Sequence, residues 1–373
     1  MNHLSLTKIY SLNESDFTFK EINISEIENG SVTWKTPSNI ALVKYWGKRE
    51  PQLPENASIS FTLDACFTLT TLKFKKRSNS QSSFEVFFEG EKKDDFKPKI
   101  ETFLKRIEQY VPFIKEFDFV IESRNSFPHS SGIASSASGM SALALCLMSL
   151  EKKINPDITN EYFNKKASFL ARLGSGSACR SIEGELIVWG NHKEIEGSSN
   201  LFGVKFPYEI HTNFKNYHDT ILLVDEGEKQ VSSTVGHKLM YDHPFAEQRF
   251  KQANNHLGEL VEVLKNGDLD SFVRIVESEA LSLHAMMMTS NPYFILMKPN
   301  TLKIIHQIWA FREKTGSKIC FTLDAGANVH VLYPENEKVD VNNFVVNKLI
   351  KYCQENHYIC DRVGNGAKLV SNY

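Results

Sequence analysis

Hydrophobic and polar positions along the chain repeat with two different periods. Alternation with period two marks half-buried strands over 59–63 and 68–74, and again over 84–88 and 118–122, with a turn at Glu89-Gly90. Ile100, Phe103, Leu104 and Ile107 recur at helical spacing and predict a helix over 99–110. An apolar helix leaves a Gly/Ser-rich loop and ends near Leu150, and a further helix covers 160–172. A second Gly/Ser loop then precedes a strand over 186–189. Residues before about Gly30 are polar and weakly patterned, which suits an extension or an edge strand.

The segment Glu194 to Pro207 contains Gly197-Ser198-Ser199-Asn200 and reads as a boundary between lobes. The expected organisation is an N-terminal extension (1–30), an N-terminal lobe (31–205) and a C-terminal lobe (206–373). Beyond the boundary the pattern predicts a strand over 220–224 and helices over 244–265, 269–287 and 293–314. Strands over 318–323 and 329–333 follow, then a helix over 341–353. Strands and helices come in mixed runs without strict alternation, so the expected class is α+β with two lobes.

Composition narrows the function classes. The 373 residues are 41% hydrophobic and 24% charged, with 43 Lys+Arg against 45 Asp+Glu and a net charge of −2. That balance argues against a dedicated nucleic-acid or anionic-membrane surface. The six cysteines, Cys66, Cys146, Cys179, Cys320, Cys353 and Cys360, form no C-x-x-C pair and read as reduced thiols. The first residues, MNHLSLTKIYSLNESDF, have no apolar core or small-residue cleavage site. The longest apolar stretch, Met140 to Leu150, is too short to cross a bilayer. A cytoplasmic protein is expected.

Three constellations are suited to chemistry. Phe127 to Gly139, with His129-Ser130-Ser131-Gly132-Ile133-Ala134-Ser135-Ser136, lies between a strand and a helix of small residues. Small side chains there let backbone N–H groups converge on an anion at a helix N-terminus, or simply allow close packing. No Walker A ending is present. Gly174 to Ser181 places two serines, Ser175 and Ser177, beside Arg180, an anion nest or a solvated loop. Asp324 ends an apolar strand at a small-residue turn, where a carboxylate can face a cleft. Lys44 and Lys48 flank the aromatic pair Tyr45-Trp46.

Taken together, these motifs resemble the diphosphomevalonate decarboxylases of the GHMP kinase superfamily. The resemblance is carried by Asn39-Ile40-Ala41-Leu42-Val43-Lys44-Tyr45-Trp46-Gly47-Lys48, Ala57-Ser58-Ile59-Ser60 and Thr62-Leu63. It continues through Gly132 to Ala137, Ala171-Arg172-Leu173 into Gly174–Ser181, Lys229 to Thr234, and Asp324-Ala325-Gly326. The motifs keep the family order over about Val32 to Tyr333. Leu283-His284-Ala285-Met286 also fits, with His284 read as a core histidine. Four departures stand out: Ala327 for a usual Pro, His129 with Ser130-Ser131 for Thr-Ala-Ala, Glu185 for Gly, and His237 for Met.

The resemblance implies a two-lobed GHMP-kinase-like fold that uses ATP and Mg2+ in the cleft between the lobes. The implied reaction is decarboxylation of mevalonate 5-diphosphate to isopentenyl diphosphate, with ADP, phosphate and CO2. It implies Asp324 as general base, Lys44 as its counter-charge and Asn39 on the substrate carboxylate. The substrate is expected at Tyr45, Lys48, Ser175, Ser177, Arg180 and Ser233. ATP phosphates are expected at Gly132, Ala134, Ser135 and Ser136, with Lys229 assisting and Mg2+ near Ser136. It also suggests a homodimer. A relative that stops at phosphorylation or takes the monophosphate, and a non-catalytic nucleotide sensor, are the alternatives. Retention of Lys44, Asp324 and the Arg180 loop favours the full reaction on a diphosphate.

Overall fold

A computed structural model describes residues 12–19, 27–78, 83–128, 133–227 and 233–373. The strands are β1 (Asn29–Val43), β2 (Lys48–Arg49), β3 (Leu53–Pro54), β4 (Ser58–Lys76), β5 (Phe84–Phe88), β6 (Glu91–Lys92), β7 (Phe117–Asn125), β8 (Leu186–Trp189), β9 (Val204–Lys205), β10 (His218–Leu222), β11 (Cys320–Thr322), β12 (Val329–Tyr333), β13 (Tyr358–Arg362) and β14 (Lys368–Asn372). The α-helices are α1 (Lys97–Ile107), α2 (Ser135–Ile154), α3 (Asn160–Gly174), α4 (Ser233–Lys238), α5 (Ala246–Asn266), α6 (Leu269–Met288), α7 (Pro299–Thr315) and α8 (Lys338–Phe344). The α+β expectation holds.

A large sheet runs in the order β14-β1-β4-β7-β5-β6, and β8 adds to β4 and carries β9. A second sheet has the order β11-β12-β10-β13. The long strand β4 shows why the two halves hold together. Its second half alternates, with Leu72 and Phe74 buried and Lys73 and Lys75 exposed, because only one face is covered. Its first half, Ser58 to Leu63, is buried on both faces. There Ile59 and Phe61, with Ile40 and Leu42 of β1, share one core with Leu257 and Leu260 of α5 and Phe272 and Val276 of α6. On the other face of the sheet, α2 is buried along nearly its whole length and packs with Phe103 of α1 and Phe169 of α3. Each such fully buried large apolar side chain contributes about 1.5–3 kcal/mol.

The structure departs from the expected elements in several places. Strands expected over 59–63 and 68–74 are one strand, because the polar interruption between them is stapled from outside. The N–H groups of Asp64 and Ala65 donate to Asp361 Oδ1 at 2.9 and 2.8 Å, and that of Cys66 donates to Oδ2 at 2.7 Å. The helix expected from Tyr293 begins at Pro299, where the missing N–H costs nothing at the first helical position. The expected helix over 341–353 tightens and loosens instead, passing from α8 into a π turn (Val345–Leu349) and a 3-10 turn (Ile350–Tyr352). Strands β13 and β14 escaped the pattern, and β14 returns from the end of the chain to pair with β1. Within the weakly patterned extension, Glu14–Phe17 forms a 3-10 turn, and Phe17 is buried against Phe169 at 4.5 Å between ring centroids.

Candidate active site

The last residue of β1 delivers the chain to Lys44, whose side chain is 3% exposed. Its Nζ bonds Asp324 Oδ1 at 2.8 Å. Burial pushes the Lys44 ammonium below the usual lysine range, and the Asp324 carboxylate pulls in the opposite direction. Asp324 follows β11 at the turn expected from sequence. Gly326 N–H donates to its carbonyl at 2.7 Å, and His284 Nε2–H donates to the same oxygen at 3.1 Å. Burial pushes His284 down to about 4, so the ring is neutral at pH 7. Ala327 removes a proline from this turn, yet the turn is held: Thr301 Oγ1–H bonds Ala327 O at 2.6 Å, and Asn328 Nδ2–H bonds Asp225 O at 3.1 Å.

Arg180 closes a 3-10 turn, Gly176–Ser181, packed between α3 and β8. The turn needs glycine at 176, since a Cβ there would lie 2.7 Å from Trp189 and 2.8 Å from the Tyr45 hydroxyl. The Arg180 guanidinium donates to Ser58 Oγ and, at 3.4 Å from each of two nitrogens, to Asn39 Oδ1. Asn39 Nδ2 donates in turn to Ser181 Oγ at 2.8 Å and Ser177 O at 3.3 Å. The guanidinium also sits 5.6 Å from the centre of the Tyr45 ring and 6.0 Å from that of Trp189, within cation–π range. Burial pushes Tyr45 up to about 12. Asn39 and Tyr45 therefore form one cluster with Arg180, which is distant from both in sequence.

Ser175 and Ser136 meet at 3.3 Å between hydroxyl oxygens, which joins the two Gly/Ser loops at the N-terminus of α2. Ala134 caps that helix in the left-handed region, with φ of 46°. Ser135 is half-buried and Ser136 exposed. Beside this terminus lies a cavity of about 220 Å³, lined by Thr68, Phe88, Phe96, Lys99, Ser123 and Gly139 among others. Sequence reasoning missed these wall residues. The exception is Gly139, which closes the first small-residue motif singled out from sequence. Gly132 and Lys229 lie outside the described residues, as do His129, Ser130 and Ser131. Ser233 begins α4, and nothing is described of its side chain.

Lys48 is 6% exposed, and its Nζ bonds Gln52 Oε1 at 2.8 Å. Burial lowers its pKa, and Glu50 opposes that shift. His237, the departure from methionine, fills the space between Tyr45 and Trp46, with ring centroids 4.6 Å from each. Its Nδ1 accepts the Gly47 N–H at 3.0 Å, so the ring proton belongs on Nε2. Burial, assisted by Lys48, pushes His237 down to about 3. Among the described residues no group of three or more His, Cys, Asp or Glu is placed to hold a metal ion. No described helix is long and apolar enough to cross a membrane.

Buried cations, a carboxylate paired with one of them, and a helix terminus whose Ser136 meets the Ser175 loop suit phosphoryl chemistry on a small anionic substrate, and known proteins bear on that. Residues 36–200 match the family model of the diphosphomevalonate decarboxylase-like N-terminal domain, and residues 220–370 match that of the mevalonate 5-diphosphate decarboxylase C-terminal domain. The diphosphomevalonate decarboxylase of Ganoderma lucidum is 30% identical over 341 residues, covering 86% of this chain and 81% of that protein. A solved complex of MDDEF with MVAPP, AMPPCP and magnesium superposes with a TM-score of 0.78 at 29% identity, over 92% of this chain and 99% of the other. The mevalonate diphosphate decarboxylase from Enterococcus faecalis superposes with a TM-score of 0.77 at 28% identity, over 92% and 99% of the two chains. With both halves matched in order and the fold shared nearly end to end, this chain belongs to the diphosphomevalonate decarboxylase family.

Proposed function

We propose that this chain decarboxylates mevalonate 5-diphosphate to isopentenyl diphosphate in an ATP-dependent reaction that also yields ADP, phosphate and CO2. The observation that carries the reading is the Lys44–Asp324 pair at 2.8 Å, its lysine buried and its carboxylate 28% exposed, formed across the two sheets of the fold. The related MDDEF complex holds MVAPP, AMPPCP and magnesium together. Here the cavity of about 220 Å³ has apolar walls suited to a base, and it opens at the α2 terminus, which suits phosphates. Mg2+ keeps several waters and binds largely through substrate phosphates, so the Ser136 hydroxyl would be one of few protein oxygens to reach it. Magnesium-ATP supplies the phosphoryl group that turns the tertiary 3-hydroxyl into a leaving group.

The remaining work falls to side chains. Asp324 orients the 3-hydroxyl and takes its proton. Its fixed negative charge then stabilises positive charge developing at C3. Lys44 keeps Asp324 ionised. Asn39 holds the Arg180 side chain and faces the substrate carboxylate without neutralising it. Arg180, Lys48, Tyr45, Ser175, Ser177 and Ser233 take the diphosphate. Ser135 and Ser136, with Gly132, Ala134 and Lys229, take the ATP phosphates. Lobes meeting near residues 205 and 206, a homodimer and a cytoplasmic setting belong to the same proposal, and sedimentation and cell fractionation test the last two.

The test offers mevalonate 5-diphosphate and the 5-monophosphate in competition with ATP in excess, following CO2 and ADP separately. A site built for a terminal phosphoryl group rejects the analogue lacking it, here by about ten-fold to several thousand-fold in kcat/KM, from one or two charge-assisted contacts. Equal use of both substrates overturns the diphosphate assignment. ADP without CO2 makes the protein a 3-kinase, and no turnover of either makes it a binding protein.

A further inference from the structure

Behind the Lys44–Asp324 pair lies a group of side chains that the proposed reaction does not use. Glu279, in α6, is fully buried, and its Oε2 accepts the backbone N–H of Lys44 at 2.9 Å. The Arg249 guanidinium grips both carboxylate oxygens of Glu279, at 2.9 Å on Oε1. Arg249 also reaches the Lys44 carbonyl at 3.4 Å, which Asn56 Nδ2–H bonds at 3.0 Å. His256 Nδ1 sits 2.6 Å from Glu279 Oε1. Burial works against charge on Glu279, yet the contacts from His256 and Arg249 hold it below the usual carboxylate range. Five positions further along the same helix, about 7.5 Å along its axis, His284 is 1% exposed and donates to the Asp324 carbonyl at 3.1 Å.

A buried ion pair is often no more stabilising than well-packed apolar side chains of the same volume. Stability alone therefore does not account for this cluster. Its geometry does offer a reason. Lys44 comes from the first sheet and Asp324 from the end of a strand in the second, 280 residues apart in sequence. A lysine ammonium rides on a flexible four-carbon stem, so its position over Asp324 depends on how firmly its main chain is held. One helix holds the main chain of both partners.

We propose that Glu279 and His284 are positioning residues that set Lys44 and Asp324 against each other, with Arg249 fixing Glu279. This rests on the reading of Lys44 and Asp324 as the catalytic pair. Glu279→Gln keeps the shape but removes the charge, and His284→Phe removes the donor and leaves the Arg249 cluster intact. Each should lower kcat about 10- to 100-fold, the scale of a sub-ångström to ångström misplacement remote from the chemistry. KM for mevalonate 5-diphosphate and for ATP should stay within about threefold, because the binding groups are untouched.

The deciding measurement is a pair of double-mutant cycles read by single-turnover ADP and CO2 formation. Placed in Lys44→Met, Glu279→Gln should cost less than about threefold more, since its target is gone, and His284→Phe should behave the same way in Asp324→Asn. A role in folding alone would cost the same factor in either background, and that result overturns the proposal. Should Glu279→Gln fail to fold, the His284 cycle decides it. If Lys44→Met and Asp324→Asn are crippled while Glu279→Gln and His284→Phe turn over like wild type, only the positioning inference fails. If Lys44→Met and Asp324→Asn turn over normally, the catalytic reading falls and takes the inference with it.

Discussion

His237, one of the departures that the motif resemblance picks out, is buried, and replacing it with methionine makes a prediction that the structure sizes. The ring is 4% exposed between two aromatic rings, and Nδ1 accepts the Gly47 N–H. Protonation would place a cation beside Lys48 and abolish that acceptor. The imidazole is accordingly lowered from an ordinary 6.5 to about 3. A depressed histidine pKa means that the unfolded chain takes the proton first as pH falls. Stability is therefore full above pH 6.5 and lost progressively toward pH 3. At 1.36 kcal/mol per pH unit, the loss from this residue reaches about 2–3 kcal/mol by pH 4.5. His237→Met fills a similar volume without titrating, but leaves the Gly47 N–H without its acceptor, a pH-independent cost of about 1–3 kcal/mol. Urea unfolding from pH 7.5 to 4.5 should show the wild type ahead at neutral pH and the gap closing by about 2–3 kcal/mol in acid. A gap that stays constant across the range would refute the buried neutral histidine.

Further outcomes follow from individual contacts. Asp324→Asn keeps the shape but loses the base, so kcat should fall about 10²–10⁴-fold with little change in substrate affinity; near-normal turnover would remove Asp324 from the chemistry. Arg180→Ala should weaken mevalonate 5-diphosphate by about tenfold or more while ATP affinity holds; calorimetry showing equal losses for both would assign the loop to the nucleotide. Phe17→Ala empties a site walled by Phe169 and Phe202 and should cost about 3–5 kcal/mol in thermal or urea unfolding, with turnover at low temperature preserved.

How far sequence patterning reached depended on whether a position reports a local or a distant partner. The two Gly/Ser loops were legible because small residues flanked by apolar runs are a local signal; that they meet, through Ser136 and Ser175, was not. Lys44 and Asp324 were legible only through motif resemblance, since nothing in either segment specifies a partner 280 residues away. The break between the two halves of β4 was misread for the same reason. The period breaks at Asp64-Ala65-Cys66, and only the fold shows Asp361 satisfying the N–H groups there. Glu279 carried no signal at all: a glutamate on a helix reads as solvent-facing, and only the fold shows it fully buried between Arg249, His256 and the Lys44 backbone. Phe17 was one apolar residue in a polar stretch, too little to show docking.

The charge arrangement of the cleft explains why the neutral groups matter as much as the charged ones. Lys44, Lys48 and Arg180 are at most 6% exposed, and burial pushes each of them toward deprotonation. Taking such ions out of water costs several kcal/mol apiece unless opposite charge repays it. Among the described residues, Lys44 alone of the three bonds a carboxylate directly, that of Asp324, whereas Lys48 bonds the Gln52 amide and Arg180 bonds Asn39 and Ser58. Lys48 and Arg180 thus hold dehydrated charge against neutral groups, a cost that a bound diphosphate would offset on the proposed reading. The Asp324 carboxylate lies within electrostatic reach of Arg180 as well as of Lys44, and the rings of the cluster add no further charge. His284 at about 4, His237 at about 3 and Tyr45 at about 12 all remain neutral at pH 7. Burial thus dehydrates the three cations while it keeps the rings of His284, His237 and Tyr45 uncharged.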